Sequence, residues 1–262
     1  LILVIPLGVL GAAIATLIAQ AVSAVLVTVT LMYRTEGMKL CLSQIRMYKR
    51  MLQSILKIGL PAGFEAIMYS ISNIIVQVSI NNFGVDTMAA WTAYSKIDFI
   101  FWMINSAFGI SVMTFVGQNY GAGKWDRIRR GTKICLGMAL ISAVFVSIIL
   151  MSAERFLFGI FVNDAGVVEI GIHMMNVIAP AYLLFAFIEV FSGALRAQGA
   201  VVVSTLITMV GICVLRMIWV TLVAAHGTLE QVIICYPITW AAGALAMSIY
   251  YIYKQRKIFQ AR

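Results

Sequence analysis

Charged residues are scarce in this sequence. Asp, Glu, Lys and Arg make up 11% of its 262 residues, whereas 62% are apolar. Soluble domains carry about 25% charged and about 45–50% apolar residues. A water-soluble globule of this length would therefore have too little charge to cover its surface. This scarcity excludes a soluble enzyme, a nucleic-acid-binding domain and a disordered chain, and it indicates an integral membrane protein.

Cysteine and histidine are too few and too scattered for a disulfide framework, a metal site or a cofactor site. The four cysteines lie far apart, and none belongs to a CxxC pair: Cys41, Cys135, Cys213 and Cys235. Two histidines, His173 and His226, cannot form an HExxH motif or a His-rich cluster. The glycine-rich segment 117–124 lacks the spacing of a phosphate loop, and Trp125 stands where Ser or Thr would bind magnesium. We therefore expect that the protein is not an enzyme. We interpret segment 117–124 as a helix end and a tight turn.

Long charge-free runs predict membrane-spanning helices, since a helix needs about 20 apolar residues to cross a ~30 Å hydrocarbon layer. The runs are Leu1–Tyr33, Ala66–Val85, Phe99–Gly123, Ile134–Ala153, Ile170–Ile188, Ala197–Leu215 and Gln231–Tyr253. The first is too long for one straight crossing, so Leu1–Pro6 is expected to end one span and Gly8–Tyr33 to form the next. Because the chain opens inside an apolar run without Met, we expect it to be a fragment. The sequence predicts an all-α polytopic membrane helix bundle with about seven complete transmembrane helices.

Basic residues recur in alternate loops and predict the orientation of the bundle. They cluster near residues 46, 127, 196 and 257, whereas the intervening loops carry mainly acidic residues, with Arg155 as the exception. Cytoplasmic loops are enriched in Lys and Arg, so we expect a multi-pass protein of the cell (inner) membrane with a cytoplasmic C-terminus. The net charge of +9 reflects this asymmetry and contact with anionic headgroups. The longest polar stretch, Arg34–Gln53, is the best candidate for a linker between two lobes.

A polar stripe follows one face of the second span at four-residue intervals: Glu65, Tyr69, Asn73 and Gln77. Such a stripe must face protein or water rather than lipid. It predicts a cavity wall in which Glu65 binds a cation or a proton. The alternative is a helix-packing face held together by amide hydrogen bonds.

A second stripe follows the next span: Trp91, Ser95, Asp98, Trp102, Asn105 and Gly109. A carboxylate between two indole rings can hold an organic cation by charge and by cation–π attraction. The alternative is that Asp98 pairs with Lys96 near the outer interface, with the Trp rings in an aromatic belt. Since residues two apart on a helix do not face each other, we expect Asp98, Trp102 and Asn105 to line a cavity. Lys96 is expected to snorkel outward or to pair with another helix.

Two further ionisable residues lie within predicted spans. Glu189 shares a helix face with Arg196, and we expect a structural salt bridge there rather than a role in transport. Arg216 lies deep in its span and should neutralise a carboxylate on a neighbouring helix, either as scaffold or as a switch. Pro61 and Pro180 allow bends near a binding cavity.

Four segments carry a resemblance to a known family. They are GVLGAAIAT from residue 8, KIGLPAG from residue 57, GISV and VGQNYGAG from residues 109 and 116, and SGALRAQG from residue 192. By these segments the chain resembles the multidrug and toxic compound extrusion (MATE) transporters over nearly its whole length, from the sixth helix of twelve to the end. The resemblance implies two six-helix lobes related by pseudo-twofold symmetry, with a central substrate cleft.

The resemblance also implies a division of the chain. Residues 1–33 would end the first lobe, residues 34–55 would form a cytoplasmic inter-lobe linker, residues 56–253 the second six-helix lobe, and residues 254–262 a cytoplasmic tail. Most of the first lobe would be missing. One position departs from the norfloxacin-type members, in which a glutamate lies about two helical turns after the lobe-opening Pro. Tyr69 occupies that place here, so the coupling site is not inherited residue by residue.

The function that the resemblance implies is a secondary active antiporter. It would export amphipathic organic cations or drugs in exchange for sodium or protons by alternating access, without a cofactor beyond the coupling ion. Its partners would be organic cations, the lipid bilayer and the missing N-terminal lobe. The expected site residues are Glu65, Tyr69, Asn73, Gln77, Asp98, Trp102, Asn105 and Arg216. The alternatives are a flippase for lipid-linked oligosaccharides and a non-transporting membrane scaffold subunit.

The predicted orientation can be tested with reporters fused after Arg262 in a bacterial host. A cytoplasmic C-terminus makes a fused green fluorescent protein bright and leaves a fused alkaline phosphatase inactive. Active phosphatase at this position would reverse the orientation of every span.

Overall fold

The computed structural model describes residues 8–33, 40–41, 43, 45–224 and 227–260. Every regular element in these ranges is a helix. The predicted stub Leu1–Pro6 and residues 34–39 of the predicted linker lie outside the described residues. The chain divides into two compact units, Leu1–Ser54 and Ile55–Arg262.

The helices are numbered in chain order, and short irregular turns join several of them into longer rods. They are α1 (Gly8–Tyr33), α2 (Lys49–Asn81), α3 (Val85–Gly121), α4 (Trp125–Ser152), α5 (Glu154–Phe161), α6 (Ala165–Ile178), α7 (Tyr182–Ala197), α8 (Val201–Thr208), α9 (Leu215–Ile218), α10 (Leu229–Ile233) and α11 (Cys235–Gln260). Helix α2 begins at Lys49, inside the segment predicted as a linker.

Seven rods in the described ranges are long and apolar enough to cross a membrane: Leu10–Tyr33, Lys49–Asn81, Val85–Gly121, Trp125–Ser152, Ala165–Ala197, Val201–Val223 and Leu229–Ile258. The predicted number of complete spans is therefore confirmed. Most rods extend beyond the charge-free runs, because a helix continues into the polar flanks where the backbone still bonds to itself.

The first unit contains α1, most of whose described side chains are exposed. Two of its hydroxyl groups bond to the helix's own backbone: Thr16 donates to the carbonyl of Ala12 at 3.0 Å, and Thr30 to that of Leu26 at 2.8 Å. These bonds satisfy two of the polar side chains of a mostly apolar helix locally, as a lipid environment requires.

In the second unit, α7 lies at the centre of the bundle and packs against α3, α4 and α11. Helices α3 and α7 approach closely where Gly109 faces Gly193. A Cβ atom at Gly193 would lie 2.8 Å from the backbone oxygen of Gly109 and 2.9 Å from a methyl carbon of Val112. Glycine is therefore required here by the helix–helix distance.

Two rods are interrupted where the sequence or the packing demands it. A 3₁₀ turn at Ala179–Ala181 contains Pro180, and the hydroxyl of Ser147 donates to the carbonyl of Ala179 at 2.8 Å. The rod from Val201 to Val223 contains two π-helical segments, Met209–Val214 and Trp219–Val223, on either side of α9. Such π segments recur at functional sites, and α9 carries Arg216.

The glycine-rich segment 117–124 forms the expected turn between α3 and α4. Gly123 has φ +67°, in the left-handed region, and the backbone N–H of Lys124 donates to the carbonyl of Asn119 at 2.9 Å. This geometry ends a helix.

The glycine contact between α3 and α7 predicts the effect of a single methyl group. Gly193→Ala should destabilise the purified protein by about 1–3 kcal/mol, because the new Cβ meets backbone that cannot turn aside. Gly137→Ala in α4 is the matched control, since nothing lies within 4 Å of its Cβ position, and it should be neutral or stabilising by up to ~1 kcal/mol. Thermal unfolding in detergent measures both; equal midpoints for the two variants would contradict the close approach.

Candidate functional site

Two cavities lie between α2 and the rest of the second unit, and Tyr69 lines both. The first, here called the indole cavity, has a volume of about 490 Å³. Its lining includes Asn73 and Gln77 of α2, Asp98 and Trp102 of α3, and the α11 residues Tyr236 and Trp240. The volume lies within the range of about 300–1,000 Å³ that is typical of small-molecule sites.

Asp98 is fixed in the wall of the indole cavity by hydrogen bonds to both carboxylate oxygens. The indole Nε1 of Trp102 donates to Oδ2 at 2.6 Å, and the hydroxyl of Tyr182 donates to Oδ1. The hydroxyl of Tyr94 lies 3.2 Å from that of Tyr182 and extends the network. Lys96 is exposed and does not pair with Asp98, so the alternative in which these two residues neutralise each other is not the observed arrangement.

Aromatic rings surround this carboxylate. The ring centroid of Trp102 lies 4.6 Å from that of Phe185 and 6.0 Å from that of Trp240, both edge to face. Phe101 stacks on Tyr182 at 3.8 Å, which holds the ring whose hydroxyl donates to Asp98. The arrangement combines one negative charge with electron-rich ring faces, which is the chemistry that attracts an organic cation.

The second cavity, here called the carboxylate cavity, has a volume of about 320 Å³ and is lined by Glu65, Glu189 and Arg196 among others. Nη2 of Arg196 lies 2.7 Å from each carboxylate oxygen of Glu65, and the hydroxyl of Thr205 donates to Oε2 of Glu65 at 2.9 Å. Glu65 thereby ties α2 to α7 and α8. The cavity thus holds two acidic side chains and one guanidinium.

The expected salt bridge between Glu189 and Arg196 is wrong, because Arg196 pairs with Glu65 instead. Glu189 turns against α3, where Gly109 has no side chain. A Cβ at Gly109 would collide with the carboxylate of Glu189, so the side chain of Glu189 occupies the space that glycine leaves. Glu189 forms no ion pair with any other residue in the described ranges.

Arg216 also differs from the prediction, since no carboxylate of the described chain pairs with it. Its side chain is fully buried. Nη1 donates to Oδ1 of Asn73 at 3.2 Å, and the guanidinium carbon lies 4.2 Å from the ring centroid of Tyr236 and 5.7 Å from that of Tyr69. An amide oxygen and two ring faces thus occupy the place that a carboxylate was expected to take.

The predicted site residues therefore fall into three groups. Asp98, Trp102, Asn73 and Gln77 meet at the indole cavity, and Glu65 lies in the carboxylate cavity, with Tyr69 shared between them. Asn105 and Arg216 are buried and lie outside the lining of both cavities. Sequence patterns on α2 and α3 missed the contributions of other helices: Tyr182, Arg196, Thr205, Tyr236 and Trp240.

A polytopic bundle whose ionisable side chains face cavities between its helices is typical of membrane transporters. The comparison with protein families agrees: the MatE family model matches residues 61–222. The chain therefore belongs to the MatE family, whose members are transporters rather than enzymes, and it is a multi-pass membrane protein.

Known relatives share this similarity. The chain is 26% identical over 261 residues to the probable multidrug resistance protein YoeA of Bacillus subtilis, covering 96% of this chain and 56% of the relative. It is 23% identical to the multidrug export protein MepA of Staphylococcus saprophyticus, covering 83% of this chain and 51% of that protein. The chain thus spans about half the length of the curated relatives it matches.

Solved structures share the fold. An outward-facing multidrug resistance MATE family transporter of the MOP superfamily superposes with a TM-score of 0.87 at 18% identity, covering 97% of this chain and 58% of that one. The inward-facing conformation superposes with a TM-score of 0.74, at 97% and 59% coverage. The predicted fold class is confirmed.

The contact between Glu65 and Arg196 predicts a loss of stability when its charge is removed. Glu65→Gln should destabilise the protein by about 1–3 kcal/mol, because a partly buried guanidinium loses its charged acceptor. The matched control is Glu169→Gln, which breaks a pair with Arg155 whose side chains are 55% and 74% exposed, and it should cost less than about 1 kcal/mol. Rates of limited proteolysis in detergent compare the two variants; indistinguishable rates would mean that the buried pair does not hold α2.

Proposed function

We propose that the protein containing this chain is a secondary active antiporter that exports amphipathic organic cations across the cell membrane. In this proposal the indole cavity is half of the substrate cleft. The observation that carries it is the position of Asp98, a carboxylate held in an apolar span, oriented by Trp102 and Tyr182, and bordered by aromatic rings. An ionisable side chain at membrane depth is costly, so it is expected to have a polar partner or a functional role.

The printed names of the relatives support the same cargo class. YoeA is described as a probable multidrug resistance protein and MepA as a multidrug export protein. A cleft lined by rings and one fixed charge recognises shape loosely and charge strictly. That combination suits export of many flat cationic compounds better than recognition of a single metabolite.

The carboxylate cavity is the proposed coupling site. Sodium or a proton entering from outside would compete with Arg196 for the carboxylate of Glu65, and Glu189 adds a second acidic group in the same cavity. Release of Arg196 would free α2 from α7 and α8. Alternating access then follows from the rocking of α2 and the helices attached to it.

The proposed architecture follows the division implied by the sequence. Residues 1–33 end a first lobe, residues 34–55 link the lobes on the cytoplasmic side, residues 56–253 form the second lobe, and residues 254–262 form a cytoplasmic tail. A complete cleft needs helices from both lobes. Transport is therefore assigned to the full-length protein in the cell membrane, with a cytoplasmic C-terminus.

The alternatives predict other features. A flippase for lipid-linked oligosaccharides needs a wide cationic cleft for a pyrophosphate, whereas no Lys or Arg of the described chain lines the indole cavity, whose charged lining residue is Asp98. A scaffold subunit would seal Asp98 against a basic residue, whereas the donors to Asp98 are an indole and a phenol. The antiporter is therefore the function that the cavities support best.

Efflux of ethidium from bacteria that lack their own exporters and express the full-length gene tests the proposal. Asp98→Asn keeps the shape but removes the charge, and it should reduce the initial efflux rate about tenfold or more, as expected for a lost charge-assisted contact. Asp86→Asn, at an exposed position in the first turn of the same helix, is the matched control and should export normally. Membrane levels are compared through a fluorescent fusion.

The coupling residue is tested in the same cells. Glu65→Gln should export less than the wild type when the sodium and proton gradients are intact, and it should lose the acceleration that an imposed gradient gives. If the Asp98→Asn, Glu65→Gln double variant exports at the wild-type rate, the assignment of both carboxylates is wrong.

A further inference from the structure

Arg216 carries a charge that the described chain leaves without a counter-charge. Its side chain is fully buried within an apolar rod, and no carboxylate of the described residues pairs with it. Nη1 donates to Asn73, but Nε and Nη2 have no hydrogen-bond partner among the described residues. An unpaired buried charge is among the most costly features that a membrane helix can carry.

The hydrogen-bond donors at Arg216 are suited to binding a negatively charged group. The hydroxyl of Tyr69, whose ring lies 5.7 Å from the guanidinium carbon, is buried in the same cluster. Two guanidinium donors, Nε and Nη2, are thus available to an incoming acceptor. Guanidinium groups bind carboxylates through paired, charge-assisted hydrogen bonds, which makes a carboxylate the best match to the unused donors.

The residues that cover Arg216 belong to the indole cavity. Tyr69, Asn73 and Tyr236 line that cavity and also contact the guanidinium. The single direct hydrogen bond in this cover, from Nη1 to Asn73, has a length of 3.2 Å, and the side chain of Asn73 is exposed. Asn73 is therefore the exposed residue of this cover and the one through which a group in the cavity would reach the guanidinium.

We propose that Arg216 is an anion subsite of the indole cavity, which binds the carboxylate of a zwitterionic organic molecule whose cationic part lies at Asp98. This inference rests on the proposed function and names a cargo class for it. The cavity then has two poles: Asp98 with its indole and phenol donors on α3 and α7, and Arg216 with Asn73 and Tyr69. A cation without an acidic group uses only the first pole.

A matched pair of dyes separates the two poles. Rhodamine B carries a delocalised cation and one carboxylate, and its methyl ester is the same cation without the negative charge. Fluorescence polarisation with the purified full-length protein gives the dissociation constant of each dye, and their ratio measures the contribution of the carboxylate alone. The wild type should prefer rhodamine B to the ester.

Asn73→Asp is the decisive variant, because it places a carboxylate at the position that already accepts from Arg216. It neutralises the guanidinium in place and satisfies a buried charge, so the fold is retained. Binding of rhodamine B should weaken about tenfold or more, as expected for a lost charge-assisted contact, whereas binding of the ester should tighten because a negative charge has been added. Asn82→Asp, in the exposed turn after α2, is the matched control and should change neither value.

Arg216→Gln should likewise weaken the binding of rhodamine B and tighten the binding of the ester. Arg216→Lys should keep part of the preference for rhodamine B. If Asn73→Asp or Arg216→Gln weakens the binding of both dyes equally, or leaves the ratio of their dissociation constants at the wild-type value, the anion subsite is refuted.

A free inorganic anion is the other source of the same chemistry. Exchange of chloride for gluconate should leave the wild-type preference for rhodamine B intact. If instead chloride raises the thermal stability of the wild type but not of Arg216→Gln, and the ratio of the two dissociation constants does not depend on Arg216, the subsite holds chloride and the cargo assignment is wrong.

Wild-type cells that fail to export the ester would contradict the proposed function itself. Export of the ester with an unchanged ratio of dissociation constants in the variants would contradict only this inference.

Discussion

A charged side chain in an apolar span needs a partner, and this requirement organises the second unit. Transfer of a charge to the centre of a bilayer costs about 2.5–3.5 kcal/mol on insertion scales and more in simulations. Asp98 meets the requirement with an indole and a phenol, and Glu65 meets it with Arg196 and Thr205. Arg216 meets it only in part, with Asn73 and two ring faces. The described helices that carry these charges are thereby joined through polar contacts.

Helix α2 depends on such contacts more than its neighbours do. Its buried side chains are Ser72, Val76 and Ile80, near one end, whereas α7 is buried along most of its length. Tyr69 and Ile75 of α2 pack partly buried against the core, and its polar contacts with the bundle include those of Glu65 and Asn73. Apolar packing resists displacement along the whole contact surface, but a hydrogen bond or an ion pair can be exchanged for water, an ion or a ligand group. A helix attached in this way can move when a cation or a cargo molecule takes over one of its contacts, which is the property that alternating access requires.

The spans could be predicted from the sequence because a ~30 Å apolar layer imposes a length that charge-free runs reveal directly. The polar stripes on α2 and α3 were equally visible, since residues four apart share a helix face. Which stripe meets which partner was not visible. Arg196 pairs with Glu65 rather than with Glu189, whose side chain fills the space beside Gly109, and Arg216 lies on α9 between two π-helical segments without a carboxylate partner in the described chain. Periodicity within one helix carries no information about either arrangement, because both depend on contacts between helices distant in sequence.

The proposed transport mechanism requires that the ionisable side chains surround a water-accessible cavity rather than a sealed packing face. Reaction with a membrane-impermeant thiol reagent tests this claim most directly. In full-length protein with Cys41, Cys135, Cys213 and Cys235 replaced by alanine, a cysteine at Ser95 in the indole cavity is compared with one at Ile141, an exposed apolar position on α4. We expect rapid modification at position 95, slowed by a bound organic cation, and almost none at position 141. Equal, slow modification at the two positions would contradict the cavity and the transport mechanism built on it.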